Sequence, residues 1–289
     1  MHFFNVFRMI QSRREFFRNS GLLSLSILAK PNLMDFALPK KLSVGVQLYS
    51  VRKEMLSDAV GTLKALSKLG YKEIESASSE KGNYYGLSPK EIRTICEDLG
   101  MKIRSGHVQI NDNFQKYIDQ ASETGQEYLI CSSFSNNDST IENYKAQAER
   151  LNKAGEACKN SKIQFGYHNH AGEFDKVGDT VLYDVLLENT DPKTVVMEMD
   201  LGWVITSGNN PLAYFKKHPG RFPLWHLKDM NVPEKHSVEF GKGTLPIAEI
   251  LENKKLAGMK HFFVEQEEYA STALESLEFD IQYLNNLGK

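Results

Sequence analysis

The sequence predicts an α/β protein, a single (β/α)8 barrel, on three observations. About 250 of the 289 residues remain once an atypical leader is set aside, which is a usual length for such a barrel. Short apolar runs typical of buried strands begin about 25 to 38 residues apart, the length of one strand–helix unit. No GxGxxG follows the first run, which argues against an open dinucleotide-binding sheet. The chain after residue 40 shows no linker, so one domain is predicted over 41–289.

The individual elements follow from the same patterns. Strands are predicted, in order, at 43–49, 72–76, 102–107, 127–133, 162–168, 194–200, 223–228 and 261–266. Helical patterns lie between them, most clearly over 58–69, 89–99 and 141–160. Glycine adopts the left-handed conformation of a helix end at low cost, so Gly70, Gly100, Gly125 and Gly258 are predicted to end helices. Ser88-Pro89 is typical of a helix start.

Residues 1–40 are predicted to be an export leader. Arg13-Arg14 precedes a short apolar stretch, 21–29, and this layout resembles a twin-arginine signal, which exports folded proteins. The alternative is a short amphipathic N-terminal helix. No apolar run approaches the roughly 20 residues of a membrane span, so no stable membrane insertion is expected after signal removal. The expected location is the periplasm.

Composition and charge narrow the class of protein. The chain is 41% hydrophobic and 25% charged, which is ordinary for a soluble globular protein. Its net charge is −2, and since residues 1–40 carry +4, the remainder carries −6. A body of that sign has no general attraction for nucleic acid. The three cysteines lack CxxC spacing, so buried free thiols are expected.

Charged side chains end several of the predicted strands, where a barrel places its site. Since strand side chains alternate between faces, Gln164, Gly166 and His168 share one face, as do Glu198 and Asp200. Four residues on successive strands predict a site for one divalent metal: His168, Asp200, His226 and Glu265. This mixture of imidazole and carboxylate suits Mn, Co, Fe, Mg or Zn. Alternatively, each histidine is only hydrogen-bonded in place, and Asp200 only caps a helix.

Several short motifs occur in a specific order: Gly166-Tyr-His-Asn-His170, Met197-Glu-Met-Asp200-Leu-Gly-Trp203, His226-Leu-Lys-Asp229, Gly241-Lys-Gly-Thr244 and Val264-Glu-Gln266. On these motifs the chain from about residue 42 onward resembles the xylose-isomerase-like TIM-barrel superfamily, in its sugar phosphate isomerase/epimerase group and the exported Tyr-His-Asn-His subgroup. The resemblance implies metal ligands Glu, Asp, His and Glu on strands five to eight. Asp200, His226 and Glu265 match the last three. The strand-five position departs from the pattern: either His168 replaces the glutamate, or Glu173 reaches in from the loop.

The resemblance also implies an activity. Such enzymes remove a proton α to a sugar carbonyl, with the metal stabilising the enediolate. Glu265 or His107 would take the proton, and His107, Lys228 or Glu173 would act opposite. Lys228 could instead only pair with a carboxylate such as Glu198 or Glu265. Gln47, Tyr49, Glu75, His170 and Trp203 are the candidate substrate-binding residues, although Trp203 could equally belong to the core.

The substrate expected is a small sugar without phosphate, because no glycine-rich basic loop is present. Proton return gives isomerisation or epimerisation. A leaving group β to the carbonyl would instead make the enzyme a lyase or dehydratase acting on a 3-keto-glycoside or inosose. A metal-dependent nuclease of the same fold is disfavoured by the charge of −6. A non-catalytic sugar-binding protein stays open because the strand-five glutamate is missing, and a homo-oligomer stays open too.

Overall fold

The computed structural model describes residues 43–134 and 138–287, which belong to one compact unit, Lys41–Lys289. Eight parallel strands close into a barrel with helices between them, and this confirms the predicted fold. The barrel strands, numbered here β1 to β8, are Gly45–Gln47, Glu73–Ser76, Lys102–Val108, Tyr128–Cys131, Gln164–His168, Val195–Asp200, Leu224–Leu227 and His261–Val264. Each pairs with its sequence neighbours, and β1 closes on β8 through Gly45 opposite Phe263. The predicted leader lies outside the described residues.

The helices lie on the outside of the barrel. Numbered α1 to α11, they are Arg52–Ser57, Ala59–Leu69, Pro89–Asp98, Phe114–Thr124, Ile141–Cys158, Leu182–Asn189, Leu201–Thr206, Pro211–Lys217, Ile247–Glu252, Lys254–Ala257 and Ala273–Asn286. Ser88 caps α3 with a reciprocal bond to Glu91, as the Ser-Pro pair predicted. None of the described helices is both long and apolar enough to span a bilayer.

The predicted helix ends at glycine are confirmed. Gly70, Gly100, Gly125 and Gly258 have φ of 112°, 67°, 77° and 79°, in the left-handed region. A side chain would be strained in this conformation, so glycine allows the chain to turn directly into the next strand.

Four strands, β1, β4, β7 and β8, end earlier than predicted at the carboxyl side. β1 stops at Gln47, and Leu48–Val51 forms a 3-10 turn, started by the Gln47 side chain accepting a hydrogen bond from the Tyr49 backbone N–H. The strand predicted over 43–49 therefore does not extend to Tyr49. β8 stops at Val264, so Glu265 lies just beyond the strand.

Apolar side chains pack on both faces of the barrel strands, outside against the helices and inside the barrel. Met197 and Met199, which alternate along β6 with Glu198 and Asp200, are fully buried in the large cluster between strands and helices. Inside the barrel, Ile130, Leu224 and Phe263 form a smaller apolar floor. Methyl groups built onto Gly45 and Gly166 would come within 2.5 Å of Phe263 and 2.7 Å of Ile130, respectively. Glycine at these two positions therefore makes room for the floor, and the polar residues lie above it.

A short antiparallel hairpin, Asp229–Asn231 with His236–Val238, extends the chain above β7. The Asp229 carboxylate accepts four backbone N–H bonds, at 2.9 to 3.1 Å, from Met230, Gly241, Gly243 and Leu245. One side chain thus ties the hairpin to the loop that follows it. The three cysteines, Cys96, Cys131 and Cys158, are free and buried, as expected.

Candidate metal centre and active site

Four buried side chains meet at the carboxyl end of the barrel, and we call them the outer quartet: His168, Asp200, His226 and Glu265. One ligand atom from each lies within 4.8 Å of the others. They come from β5, β6, β7 and the residue after β8, because the carboxyl ends of neighbouring parallel strands lie side by side. The structure therefore brings together the four residues that the sequence predicted as metal ligands.

Atomic contacts in the outer quartet leave a cation-accepting position around Asp200. Its Oδ2 lies 3.9 Å from His168 Nε2 and 3.9 Å from His226 Nδ1, and it pairs with the Lys228 ammonium at 3.0 Å. Its Oδ1 accepts the backbone N–H of Trp203 at 2.9 Å, so Asp200 also caps α7. Metal binding and helix capping, the two roles considered for Asp200, thus fall to different oxygens of its carboxylate.

A second set, the inner quartet, overlaps the first: His107, His168, Glu198 and His226. Glu198 Oε2 lies 2.7 Å from His107 Nε2, 3.2 Å from His168 Nδ1 and 3.4 Å from His226 Nε2. The His107 ring stacks on the His226 ring with centroids 5.2 Å apart. Glu198 was not among the predicted site residues. Its alternation with Asp200 was the available signal, since it places both carboxylates inside the barrel.

Two predicted substrate-binding residues lie beneath these histidines and away from solvent. Gln47 and Glu75 are both fully buried, and the Gln47 amide donates to Glu75 Oε2 at 2.9 Å. The same oxygen lies 2.5 Å from His226 Nε2 and 3.4 Å from His107 Nε2. Gln47 and Glu75 therefore contact each other, and Glu75 contacts the histidines. Neither side chain lines the barrel mouth.

Lys228 lies above the outer quartet, one layer closer to the mouth. Its Nζ is 3.0 Å from Asp200 Oδ2, 2.8 Å from Glu265 Oε2 and 2.6 Å from Glu267 Oε1. It also lies 4.8 Å from the centre of the Trp203 ring. Pairing with Glu265 was anticipated, whereas Glu198 is not a partner and Glu267 was missed. Burial opposes the charge of Lys228, but the three carboxylates outweigh burial and hold its pKa well above the ordinary value.

His168 and His226, which belong to both quartets, differ in their protonation. Burial, reinforced by the charges of His226 and His107, lowers the pKa of His168 well below its ordinary value. Burial also opposes charge on His226, but Glu198, Glu265 and Glu75 outweigh it and raise its pKa well above the ordinary value. His168 is therefore a neutral imidazole, which is the form that binds metals, while His226 lies between carboxylates that favour a cation.

Burial and neighbouring charges also shift the pKa values of the two site glutamates. Burial and the neighbouring Glu75 raise the pKa of Glu198 to about 7. Burial also acts against ionisation of Glu265, but Lys228 and His226 outweigh it and hold the pKa of this carboxyl well below its usual range. Glu265 is thus an ionised carboxylate at neutral pH, as a metal ligand requires.

Glu173 lies outside both quartets. Its Oε1 accepts the Tyr167 hydroxyl at 2.5 Å, and its Oε2 accepts the His170 backbone N–H at 2.8 Å. Tyr167 faces the helices and stacks on Phe134, with ring centroids 4.5 Å apart. The structure therefore brings His168, and not Glu173, to the strand-five position of the site.

The remaining predicted residues lie at the rim. Tyr49 is exposed, and the Arg52 guanidinium lies 4.3 Å from the centre of its ring. His170 is exposed, with its ring centroid 6.4 Å from that of Trp203. Trp203 is partly buried, and its Nε1 has no hydrogen-bond partner among the described residues. The aromatic face of Trp203 thus lies beside Lys228, while its indole N–H is buried.

A model of the xylose isomerase-like TIM barrel family matches residues 63–286. This match covers most of the chain, and the barrel and the position of the site agree with it. The chain therefore belongs to the xylose isomerase-like TIM barrel family.

Individual relatives refine this assignment. A crystal structure of a sugar phosphate isomerase/epimerase from Parabacteroides distasonis matches with a TM-score of 0.75 and 26% identity, over 86% of this chain and 94% of that one. An inosose dehydratase from Clostridium tetani is 36% identical over 91 residues, 32% of this chain and 30% of the relative. The chain thus aligns with about a third of that curated relative's length. The IOLI protein with a bound zinc atom shares the fold, with a TM-score of 0.67 and 13% identity over 84% of this chain and 96% of that one.

The outer quartet fits a divalent ion on its own chemistry. Two imidazoles and two carboxylates are a common donor set for such ions. The two carboxylates of the quartet already share one buried cation, because the Lys228 ammonium lies 3.0 Å from Asp200 Oδ2 and 2.8 Å from Glu265 Oε2, so this position attracts positive charge. The cluster could therefore hold one metal ion.

Proposed function

We propose that this chain is a divalent-metal-dependent enzyme that removes a proton from the carbon next to a carbonyl of a non-phosphorylated sugar or keto-sugar. The outer quartet carries the proposal: four buried ligand atoms within 4.8 Å of one another, at the carboxyl end of a barrel of this family. An ion held there would polarise a carbonyl oxygen and stabilise the negative charge that develops as the C–H bond breaks.

The protein's own groups supply the rest of the chemistry. Glu265 is an ionised carboxylate beside the site, and it or His107 takes the proton. Lys228 directs its three N–H groups to Asp200, Glu265 and Glu267, so it would donate to a developing alkoxide only by exchanging one of these carboxylates for it. The Trp203 ring above Lys228 provides an apolar face that excludes water and against which a sugar ring can pack.

Isomerisation or epimerisation is the first outcome proposed, with the proton returned to the neighbouring carbon or to the opposite face of the same carbon. The sugar phosphate isomerase/epimerase of Parabacteroides distasonis, which this chain matches over 94% of its length, supports it. Elimination is the second candidate, because the curated relative from Clostridium tetani is an inosose dehydratase. The same first step would then expel a hydroxide or alkoxide β to the carbonyl.

The charge around the site supports a substrate without phosphate. Five carboxylates surround the histidines and Lys228: Glu75, Glu198, Asp200, Glu265 and Glu267. One lysine and one divalent ion carry three positive charges against these five carboxylates, so a phosphate dianion would find no surplus of positive charge. We therefore propose neutral sugars and 3-keto-glycosides as the first compounds to test.

Proton NMR in D₂O tests the proposal directly. We expect the Mn-, Co- or Zn-loaded protein to incorporate deuterium at one carbon next to a carbonyl, and the product to identify isomerisation, epimerisation or elimination. Chelation with EDTA and the variant Asp200→Asn should both abolish exchange, while Asp184→Asn, in an outer helix, should not. Binding of sugars without exchange at any carbon would instead indicate a non-catalytic sugar-binding protein.

We also propose export by the twin-arginine route, on the sequence of residues 1–40 alone. Fractionation of cells that produce the full chain should place it in the periplasm. Replacing both Arg13 and Arg14 by lysine should retain the protein in the cytoplasm. Periplasmic protein after that double substitution would contradict this route.

A further inference from the structure

The two quartets share two histidine rings, and each ring turns a different nitrogen to each quartet. His226 presents Nδ1 to Glu265 at 2.8 Å and Nε2 to Glu75 at 2.5 Å. His168 presents Nε2 to Asp200 at 3.9 Å and Nδ1 to Glu198 at 3.2 Å. An imidazole that binds an ion through one nitrogen keeps its N–H on the other, so each ring can bind an ion on one side only. The side on which N–H is fixed therefore decides which quartet holds the ion.

Glu75 fixes that side for His226. A carboxylate only accepts hydrogen bonds, and both ring nitrogens face one: Nε2 lies 2.5 Å from Glu75 Oε2, and Nδ1 lies 2.8 Å from Glu265 Oε2. Glu265 belongs to the outer quartet and would itself bind an ion there, whereas Glu75 belongs to neither quartet and still accepts the N–H of Nε2 when an ion is bound. The lone pair is then on Nδ1, which faces Asp200 Oδ2 and Glu265 Oε2 in the outer quartet. Carboxylates that accept the second N–H of a metal-bound histidine orient the ring and strengthen the ligand.

Glu75 is itself held in place. The Gln47 amide donates to its Oε2 at 2.9 Å, and both side chains are fully buried. Gln47 Oε1 also accepts the Tyr49 backbone N–H at 3.1 Å, so both ends of the amide are held and its Nε2 is directed at Glu75. The order of contacts runs from Gln47 to Glu75, then to His226, and from the opposite nitrogen of His226 to the outer quartet.

We infer that Glu75, oriented by Gln47, is a positioning residue that fixes the N–H of His226 on Nε2 and thereby directs the metal to the outer quartet. The inference rests on the proposed metal site. It assigns Glu75 and Gln47 a role in ligand geometry in place of the substrate contact predicted from the sequence. It also explains why two residues so far below the mouth are polar.

The test uses zinc and the full chain labelled with ¹⁵N-histidine. Long-range ¹H–¹⁵N spectra distinguish protonated from metal-bound ring nitrogens, so they show which nitrogen of His226 binds zinc. We expect zinc on Nδ1 and a proton on Nε2. Zinc on Nε2 would overturn the inference, even in a protein that exchanges substrate protons. Zinc on Nδ1 in a protein without any exchange would support it and overturn the proposed function alone.

Affinities measured by chelator competition provide a second readout. Glu75→Gln should weaken zinc binding by about 10- to 100-fold, the usual effect of losing such a partner, and Gln47→Leu should weaken it less. Asp200→Asn should weaken it more than Glu198→Gln does, because only Asp200 belongs to the outer quartet. An unchanged affinity of Glu75→Gln, or the reverse order of Asp200 and Glu198, would overturn the inference.

Glu73→Gln is the matched control. Glu73 is also a buried strand-two glutamate bonded to a histidine, with its Oε2 2.7 Å from His261 Nδ1, but it lies at the opposite end of the barrel. Its substitution should lower stability and leave zinc affinity unchanged. An equal loss of affinity in both variants would show that Glu75 acts only through folding and would overturn the positioning role. Failure of the wild-type protein to bind zinc would overturn the inference together with the metal site.

Discussion

Replacing Lys228 by methionine tests whether the buried lysine holds the carboxylates of the site together. Lys228 is 1% exposed and contacts Asp200, Glu265 and Glu267 at 3.0, 2.8 and 2.6 Å. Methionine has a similar length and no charge, so the side-chain volume is nearly kept. The variant leaves buried carboxylates without their cation, which is the costly way to break a buried ion pair.

The expected loss is large on this argument. Breaking a buried pair by removing one partner costs about 3–5 kcal/mol. For a protein of this size each kcal/mol lowers the melting temperature by about 2–4 °C, so Lys228→Met should lower it by roughly 6–20 °C. The measurement is urea and thermal unfolding of the metal-free protein at neutral pH.

Lys217→Met is the matched control. Lys217 Nζ lies 2.9 Å from Asp184 Oδ2, but its side chain is 51% exposed. Exposed ion pairs contribute about 0–1 kcal/mol, so this variant should unfold close to the wild type. Equal stability of Lys228→Met and Lys217→Met in the metal-free protein would refute the reasoning.

Three further substitutions give separate tests. His107→Gln should leave zinc content intact and slow deuterium exchange by about 10²–10⁴-fold, and an unchanged rate or loss of zinc would exclude His107 as the proton-transfer group. Gly166→Ala should lower the free energy of unfolding by about 1–3 kcal/mol, measured in urea, because its methyl group would lie 2.7 Å from Ile130 and 3.0 Å from a backbone oxygen. Burial raises the pKa of Asp280 to about 8, so the folded state keeps a proton that the unfolded state loses near pH 4. Stability should therefore fall as pH rises from about 4 to 8, and Asp280→Asn, measured in urea across that range, should flatten the fall.

The sequence predicted the barrel well because the signals for it are local. Apolar runs, helix caps and glycine ends each depend on a few adjacent residues, and all eight strands lie where those signals placed them. The inward direction of Asp200 and His226 followed from alternation alone. Strand ends were less predictable, since whether Tyr49 continues a strand or enters a 3-10 turn depends on the hydrogen bond from its own backbone to Gln47.

Contacts between distant strands could not be predicted from the sequence. Glu75 and His226 are far apart in the chain, and only closure of the barrel brings their side chains to 2.5 Å. The three histidine neighbours of Glu198 could not be predicted for the same reason, because they come from three other strands. Glu173 was a candidate ligand because it follows strand five closely in the sequence. In the structure the Tyr167 hydroxyl donates to it on the other side of the strand.

The Asp229 carboxylate has a consequence for the exchange of backbone protons with solvent. The amides of Met230, Gly241, Gly243 and Leu245 all donate to its two oxygens, although up to 16 residues separate donor and acceptor. Their hydrogens can exchange only when these bonds open, and all four bonds depend on one side chain. We therefore expect these amides to exchange as a single cooperative group, so that the segment directly above Lys228 either stays closed as a whole or opens as a whole.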